Sequence, residues 1–103
     1  MFRAKVSKTD KRHTGKEVFG YVCTVQPDKV VKLSERYALY NEVRNWCIQT
    51  WGNSCERDQY LAMYNAGMHD KVNAHWSWHT EYYETKLYFR TDKEANWFKL
   101  RWS

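Results

Sequence analysis

Proline occurs once and glycine four times in these 103 residues, which excludes a collagen-like or linker-rich low-complexity chain. No run approaches the roughly 20 consecutive apolar residues of a membrane-spanning helix. The N-terminal MFRAKVSKTDK also lacks the apolar centre of a secretory signal. These absences predict a cytoplasmic protein with no membrane partner. Cysteine occurs three times, at positions 23, 47 and 55, an odd number at irregular spacing that argues against a disulfide framework and for reduced thiols.

What the chain has in quantity is aromatic surface. Six Trp, eight Tyr and four Phe make 17% of the residues, enough apolar area to exclude disorder despite 28% charged residues. At this length one domain is expected, burying roughly 60–70% of the surface an extended chain exposes. Lys and Arg number 17 against 12 Asp and Glu, a formal charge of +5. That sign favours acidic partners of any kind without naming one.

Periodicity places the elements. In MFRAKVS, Phe2, Ala4 and Val6 alternate with Arg3, Lys5 and Ser7, the pattern of a half-buried strand. VFGYVCTV at 18–25 is rich in β-branched and aromatic residues and reads as its hairpin partner. The charged 8–17 loop between them, with Gly15 at a turn, is expected to project as a mobile tip. Ser34 is the expected N-cap of a helix reaching Trp51, with Gly52 and Asn53 as its stop. Tyr37, Tyr40, Val43, Cys47 and Trp51 share one side of that helix, widened by Leu39, Trp46 and Ile48. A short helix is expected within 54–67, capped by Ser54 and ended by Gly67.

The last third repeats the strand pattern. AHWSWHT sends Trp76 and Trp78 one way and His75, Ser77 and His79 the other, while KLYFR separates Leu87 and Phe89 from Lys86, Tyr88 and Arg90. TEYYE, carrying Tyr82 and Tyr83, links them as a hairpin. Thr91 and Glu94 then form a capping box for a final helix. The order ββα, small helix, ββα predicts an α+β domain over 1–103: an antiparallel sheet of about four strands with helices on one face. The opposite face is expected to be partly open.

Two surfaces follow from this arrangement. On the open face Arg3, Lys5, His75, His79, Lys86, Tyr88 and Arg90 would interleave cations with a ring, a composition suited to a single-stranded nucleic acid, although no RNP-type motif accompanies it. On the final helix Ala95, Phe98 and Trp102 form the stripe turned to the sheet. Trp97 and Leu100, beside Lys93 and Arg101, are left to a neighbouring helix or to a partner.

No catalytic, metal or cofactor signature is present. A nucleophile elbow, a phosphate-cradling glycine loop, H-E-x-x-H and C-x-x-C are all missing. His75 and His79 would sit about 13 Å apart on a strand at about 3.3 Å per residue, too far to share one zinc. Cys47 lies within an apolar helix stripe, the setting of a core residue and not of a nucleophile. The chain is read as non-enzymatic, with no cofactor and no metal.

The run KLYFRTDKEANWFKLRWS, in Tyr88, Phe89, Thr91, Asp92, Glu94, Ala95, Phe98, Leu100, Arg101 and Trp102, resembles a C-terminal pattern in small accessory proteins of tailed bacteriophages. The resemblance covers about the last fifth of the chain. It implies a phage-encoded protein acting in the host cytoplasm and brings no catalytic residues. Two functions are therefore expected as alternatives. One is an accessory protein that binds, and by binding can inhibit, a host or phage protein or a second copy of itself through Trp97, Leu100, Lys93 and Arg101. The other is single-stranded nucleic-acid binding by the open sheet.

Overall fold

A computed structural model describes residue 2 and residues 4–27, 29–81 and 84–102. Strands β1 (Val6–Lys8) and β2 (Tyr21–Thr24) precede helices α1 (Leu33–Trp51) and α2 (Arg57–Asn65). A single 3-10 turn, His69–Lys71, leads to β3 (Trp76–Glu81), β4 (Glu84–Phe89) and α3 (Asp92–Trp102). The described strands form one antiparallel sheet in the order β1-β2-β4-β3. The two hairpins meet along β2 and β4, where Val22 pairs with Tyr88 and Cys23 with Leu87. The α+β class is as the periodicity predicts. Tyr82 and Tyr83, in the expected link between the late strands, lie outside the described residues, as does Arg3.

Alternation in the paired strands sorts side chains to two faces. Cys23, Leu87, Phe89 and Trp76 project to one face and bury against Tyr40, Val43 and Cys47 of α1 and Phe98 of α3. Those α1 residues recur at three- and four-residue intervals, the stripe expected of a helix lying on a sheet. Tyr40 adds a polar anchor, its hydroxyl donating to the Lys86 carbonyl at 3.0 Å. Ile48 does not widen the stripe and is exposed. Trp76 and Trp78 face this layer as read from the sequence, Trp76 fully buried and Trp78 partly.

The second face, expected to be partly open and free of helices, carries α2 over its Val22–Tyr88 row. Val22 and Tyr88 project there and are covered by Tyr60 and Leu61 of α2 together with Val18 and Phe19. Thus α1 and α3 share one side of the sheet while α2 occupies the other. The covering depends on the 8–17 loop, which folds back where a mobile projecting tip was expected. Thr9 Oγ1 donates to the Phe19 carbonyl at 2.6 Å, and the Phe19 N–H reaches the Gly15 carbonyl at 2.7 Å. Gly15 is buried at φ +87°, and a Cβ there would come within 3.2 Å of Leu61 Cδ1, so both the turn and the close approach require glycine.

Helix ends differ from the sequence reading in detail. Hydrogen bonding of α1 starts at the Lys32 carbonyl, which accepts from Glu35 and Arg36 N–H, so Ser34 falls inside the first turn and does not cap. Gly52 closes the helix as read, at φ +93° with its N–H on Ile48. Ser54 is not the cap of α2. Its hydroxyl donates to the Trp76 carbonyl at 2.6 Å, and Glu56 takes the capping role by accepting from Asp58 N–H. At α3 the Glu94 half of the predicted box forms, Thr91 N–H donating to its carboxylate at 3.3 Å, while the Thr91 hydroxyl donates to the same carboxylate at 2.9 Å.

Segment 54–56 runs beside the outer edge of β3. Ser77 Oγ donates to the Cys55 carbonyl at 2.6 Å, and Glu56 forms an isolated parallel bridge with Trp78. At the other end of the molecule the Ala4 N–H donates to the Trp102 carbonyl at 3.0 Å, and the Phe2 ring meets Trp102 at 6.0 Å. The N-terminal stretch therefore crosses the end of α3, and β1 is shorter than the strand expected over 1–7.

A core on each face gives a direct test. Phe98→Ala removes a fully buried ring from the α1–α3 side and should cost about 3–5 kcal/mol of unfolding free energy in urea titration. Leu61→Ala, on the α2 side, should cost about 2–4 kcal/mol. A change below about 0.5 kcal/mol at Leu61, the size of an ordinary surface substitution, would show that the second face is not a packed core.

Candidate functional site

Packing of α2 on the second face redistributes the residues expected to bind nucleic acid. Tyr88 is 1% exposed and its hydroxyl accepts from Arg57 at 2.9 Å. The expected stacking ring is therefore covered by α2 and Phe19. Arg90 lies with its guanidinium 5.4 Å from the Tyr64 ring centre and donates to the Tyr60 hydroxyl at 3.3 Å. His75 precedes β3 and turns to the helix side, stacked on Trp51 at 6.3 Å and 4.0 Å from Glu94. Arg3 lies outside the described residues. Of the six that are described, only Lys5 and Lys86 line a common cleft.

His79 is on the predicted strand face but is buried there. Its Nδ1 lies 2.7 Å from Glu56 Oε1 and its Nε2 3.1 Å from Glu81 Oε2. Asp58 and Glu84 complete two groupings with His79 whose ligand atoms fall within 4.8 Å of one another, the donor set that a divalent cation accepts. These acidic groups already have partners: Glu56 caps α2, Asp58 pairs with Arg57 at 3.0 Å, and Glu84 with Lys86 at 3.7 Å. The arrangement joins the start of α2 to the late hairpin. The His79–Glu81 half was legible as an i, i+2 pair on one strand face, whereas Glu56 is distant in sequence.

Beyond the cover of α2 the same sheet face opens into a cleft of about 520 Å³, lined by Lys5, Ser7, Lys8, Asp10, Arg12, His13, Val22, Thr24, Gln26, Pro27 and Lys86. Asp10 organises its loop wall. It accepts from the Arg12 guanidinium at 2.8 Å and from the Arg12 N–H at 2.9 Å. Those bonds hold its carboxyl well below the usual range. Lys8, Arg12 and His13 were not singled out from the sequence, because a loop read as projecting gives no reason to place them on the sheet. The apolar pair Val18 and Phe19 just after Gly15 was the available signal that it folds back.

The final helix carries the other surface. Lys93, Trp97, Leu100 and Arg101 fall at i, i+4, i+7 and i+8, along one side of α3. Trp97 is 56% and Leu100 78% exposed, so neither is absorbed by the neighbouring helix. With Trp46, Thr50 and Arg101 they line an apolar groove of about 370 Å³ between α1 and α3. Its Trp46 wall is fixed by edge-on contacts to Trp51 and Phe98 at 5.4 and 5.9 Å. Arg101 stacks over Trp102 at 4.1 Å. Trp46 and Thr50 were missed because the sequence reading assigned Trp46 wholly to the core-facing stripe.

The thiols are in the opposite state from activated nucleophiles. Burial pushes Cys23 up to about 12 and raises Cys47 as well. Half-buried Cys55 is raised by burial and then by Glu56. No family model, curated protein or solved structure matches the chain.

Reaction with a soluble maleimide at mild alkaline pH should label Cys55 first and slowly, because a raised pKa keeps the thiol protonated until pH climbs well above neutral. Cys23 and Cys47 should react only after denaturation. Rapid labelling of all three in the folded protein, read by intact-mass spectrometry, would contradict this assignment.

Proposed function

We propose that this chain is a non-enzymatic accessory protein, of the kind its C-terminal run resembles in tailed bacteriophages, and that it binds a host or phage protein through the α1–α3 groove. The observation that carries the reading is the pairing of exposed Trp97 and Leu100 over a wall of fixed indole, with Arg101 at the rim and Lys93 one turn away. Large apolar side chains left in water next to a preformed groove favour association, and a rigid aromatic anchor loses little entropy on binding.

The charge of the rim defines the partner's chemistry. Lys93 and Arg101 flank the anchors, so a complementary surface presents an apolar side chain between carboxylates. A two-fold contact with a second copy sets the same patch against itself and brings like charges together. The fit therefore favours an acidic heterologous partner over self-association. Covering such a patch on a host or phage protein blocks its other uses, which is how binding alone inhibits.

The base-stacking alternative is not carried forward, since its ring, Tyr88, lies beneath α2. The test compares the wild-type chain with Trp97→Ala/Leu100→Ala in capture from nuclease-treated infected-cell lysate, followed by titration with the purified captured protein. Loss of affinity by at least about 100-fold is expected from two hot-spot truncations. Far-UV circular dichroism and the urea midpoint should be nearly unchanged, because both side chains are exposed. The wild-type affinity should vary only weakly with added salt, unlike a phosphate-led complex. Equal capture by the double variant, or collapse of its fold, would remove this proposal.

A further inference from the structure

The cleft of about 520 Å³ beside Lys5 and Lys86 is separate from the α1–α3 groove and is lined mostly by cations. Continuing the register of the paired strands, Lys5, Thr24 and Lys86 fall in one row across the sheet. Val22 and Tyr88 stand two residues further along on the same face. The Val22–Tyr88 row is roofed by α2 and Phe19, whereas the Lys5–Lys86 row is not. The folded-back loop closes one side of that row with Arg12 and His13, and Lys8, one residue out of the Lys5–Ser7 alternation, lines its rim from β1.

Among the described residues neither Lys5 nor Lys8 has a carboxylate within ion-pair distance, while Lys86 has Glu84 at 3.7 Å. Asp10 is the one acidic lining residue among those described, and Arg12 holds it in two directions. Cations gathered from separate elements repel one another unless an anion lies between them, and a concave wall of one sign concentrates that field. Ser7, Thr24 and Gln26 supply neutral hydrogen-bonding groups around the charges. Among the described residues no Phe, Tyr or Trp lines the cleft, and those that do line it offer charge and hydrogen bonds, not a platform for a base.

We infer that this cleft is a phosphate-binding site that grips a ligand bearing two or more phosphate groups through Lys5, Lys8 and Lys86. Its volume lies within the usual range for small-molecule sites. The phosphates are carried either by a free polyphosphate-type molecule or by the sugar-phosphate backbone of a single strand. In both cases the recognised chemistry is the phosphate and the base contributes little.

Calorimetric titration with inorganic tripolyphosphate and with a short oligothymidylate tests the inference, using wild type, Lys5→Glu/Lys86→Glu, Lys8→Ala, and a charge-matched control, Lys16→Glu/Lys71→Glu, at exposed positions outside the cleft. Saturable one-site binding is expected at about 50 mM salt, weakened at least tenfold by the double reversal and about two- to fivefold by Lys8→Ala. The control should stay within about twofold of wild type. Tripolyphosphate binding as tightly as the oligonucleotide identifies a free ligand as the source. Oligonucleotide binding that is tighter but sensitive to the same variants identifies the strand backbone. No saturable binding of either probe overturns the site, and so does equal weakening by cleft and control variants. Lys8→Ala replaces one exposed side chain and keeps the test decisive if the double reversal unfolds.

Discussion

The pairing of β2 with β4 is the interaction on which the rest of this structure depends. Each hairpin alone has two strands and a single apolar side, too little to be stable in water. Joined along Val22–Tyr88 and Cys23–Leu87, they become one four-stranded surface with an apolar row on each face. One row recruits α1 and α3, the other recruits α2 and the loop after β1. Both central strands are buried from above and below, and the polar alternation expected of a half-solvated sheet is restricted to its open end.

That restriction governs where charge can go. Residues that alternation turns toward the second face include Ser77, His79, Tyr88 and Thr85-side neighbours such as Lys86, and those under α2 need partners. His79 finds Glu56 and Glu81, Tyr88 finds Arg57, and Ser77 finds the Cys55 carbonyl. Buried polar groups are tolerated when their hydrogen bonds are made, and here the start of α2 supplies most of them. Beyond its reach the face stays wet and positively charged. The apolar groove and the basic cleft thus sit on different layers and share no lining residue.

Much of this was legible in the sequence wherever a periodic signal was local. The Trp76–Trp78 and Leu87–Phe89 alternation, the Tyr40–Val43–Cys47 spacing, the Gly52 stop and the Thr91–Glu94 box each specify an element from adjacent residues. The exposed pair on α3 was legible for the same reason, since one helix cannot turn Phe98 and Leu100 to the same side. What local pattern could not supply was the position of α2. Its buried residues, Tyr60 and Leu61, are neighbours and define no periodic stripe. Its cover of the second face rests on Gly15, Val18 and Phe19, brought there by a turn more than 40 residues earlier. Both the loss of the expected stacking face and the formation of the cleft follow from that one long-range contact.

The strip at 54–56 that runs along β3 has a consequence for how copies of this molecule coexist. An uncovered outer strand is a template on which another chain can polymerise through backbone hydrogen bonds. Here the Cys55 carbonyl and the Glu56 bridge occupy part of that border, and the opposite border, β1, is only three residues long. Sheet-to-sheet growth is thereby discouraged at both margins. With one indole, Trp97, standing exposed, contact between copies is left to side chains and not to backbone pairing at the sheet margins.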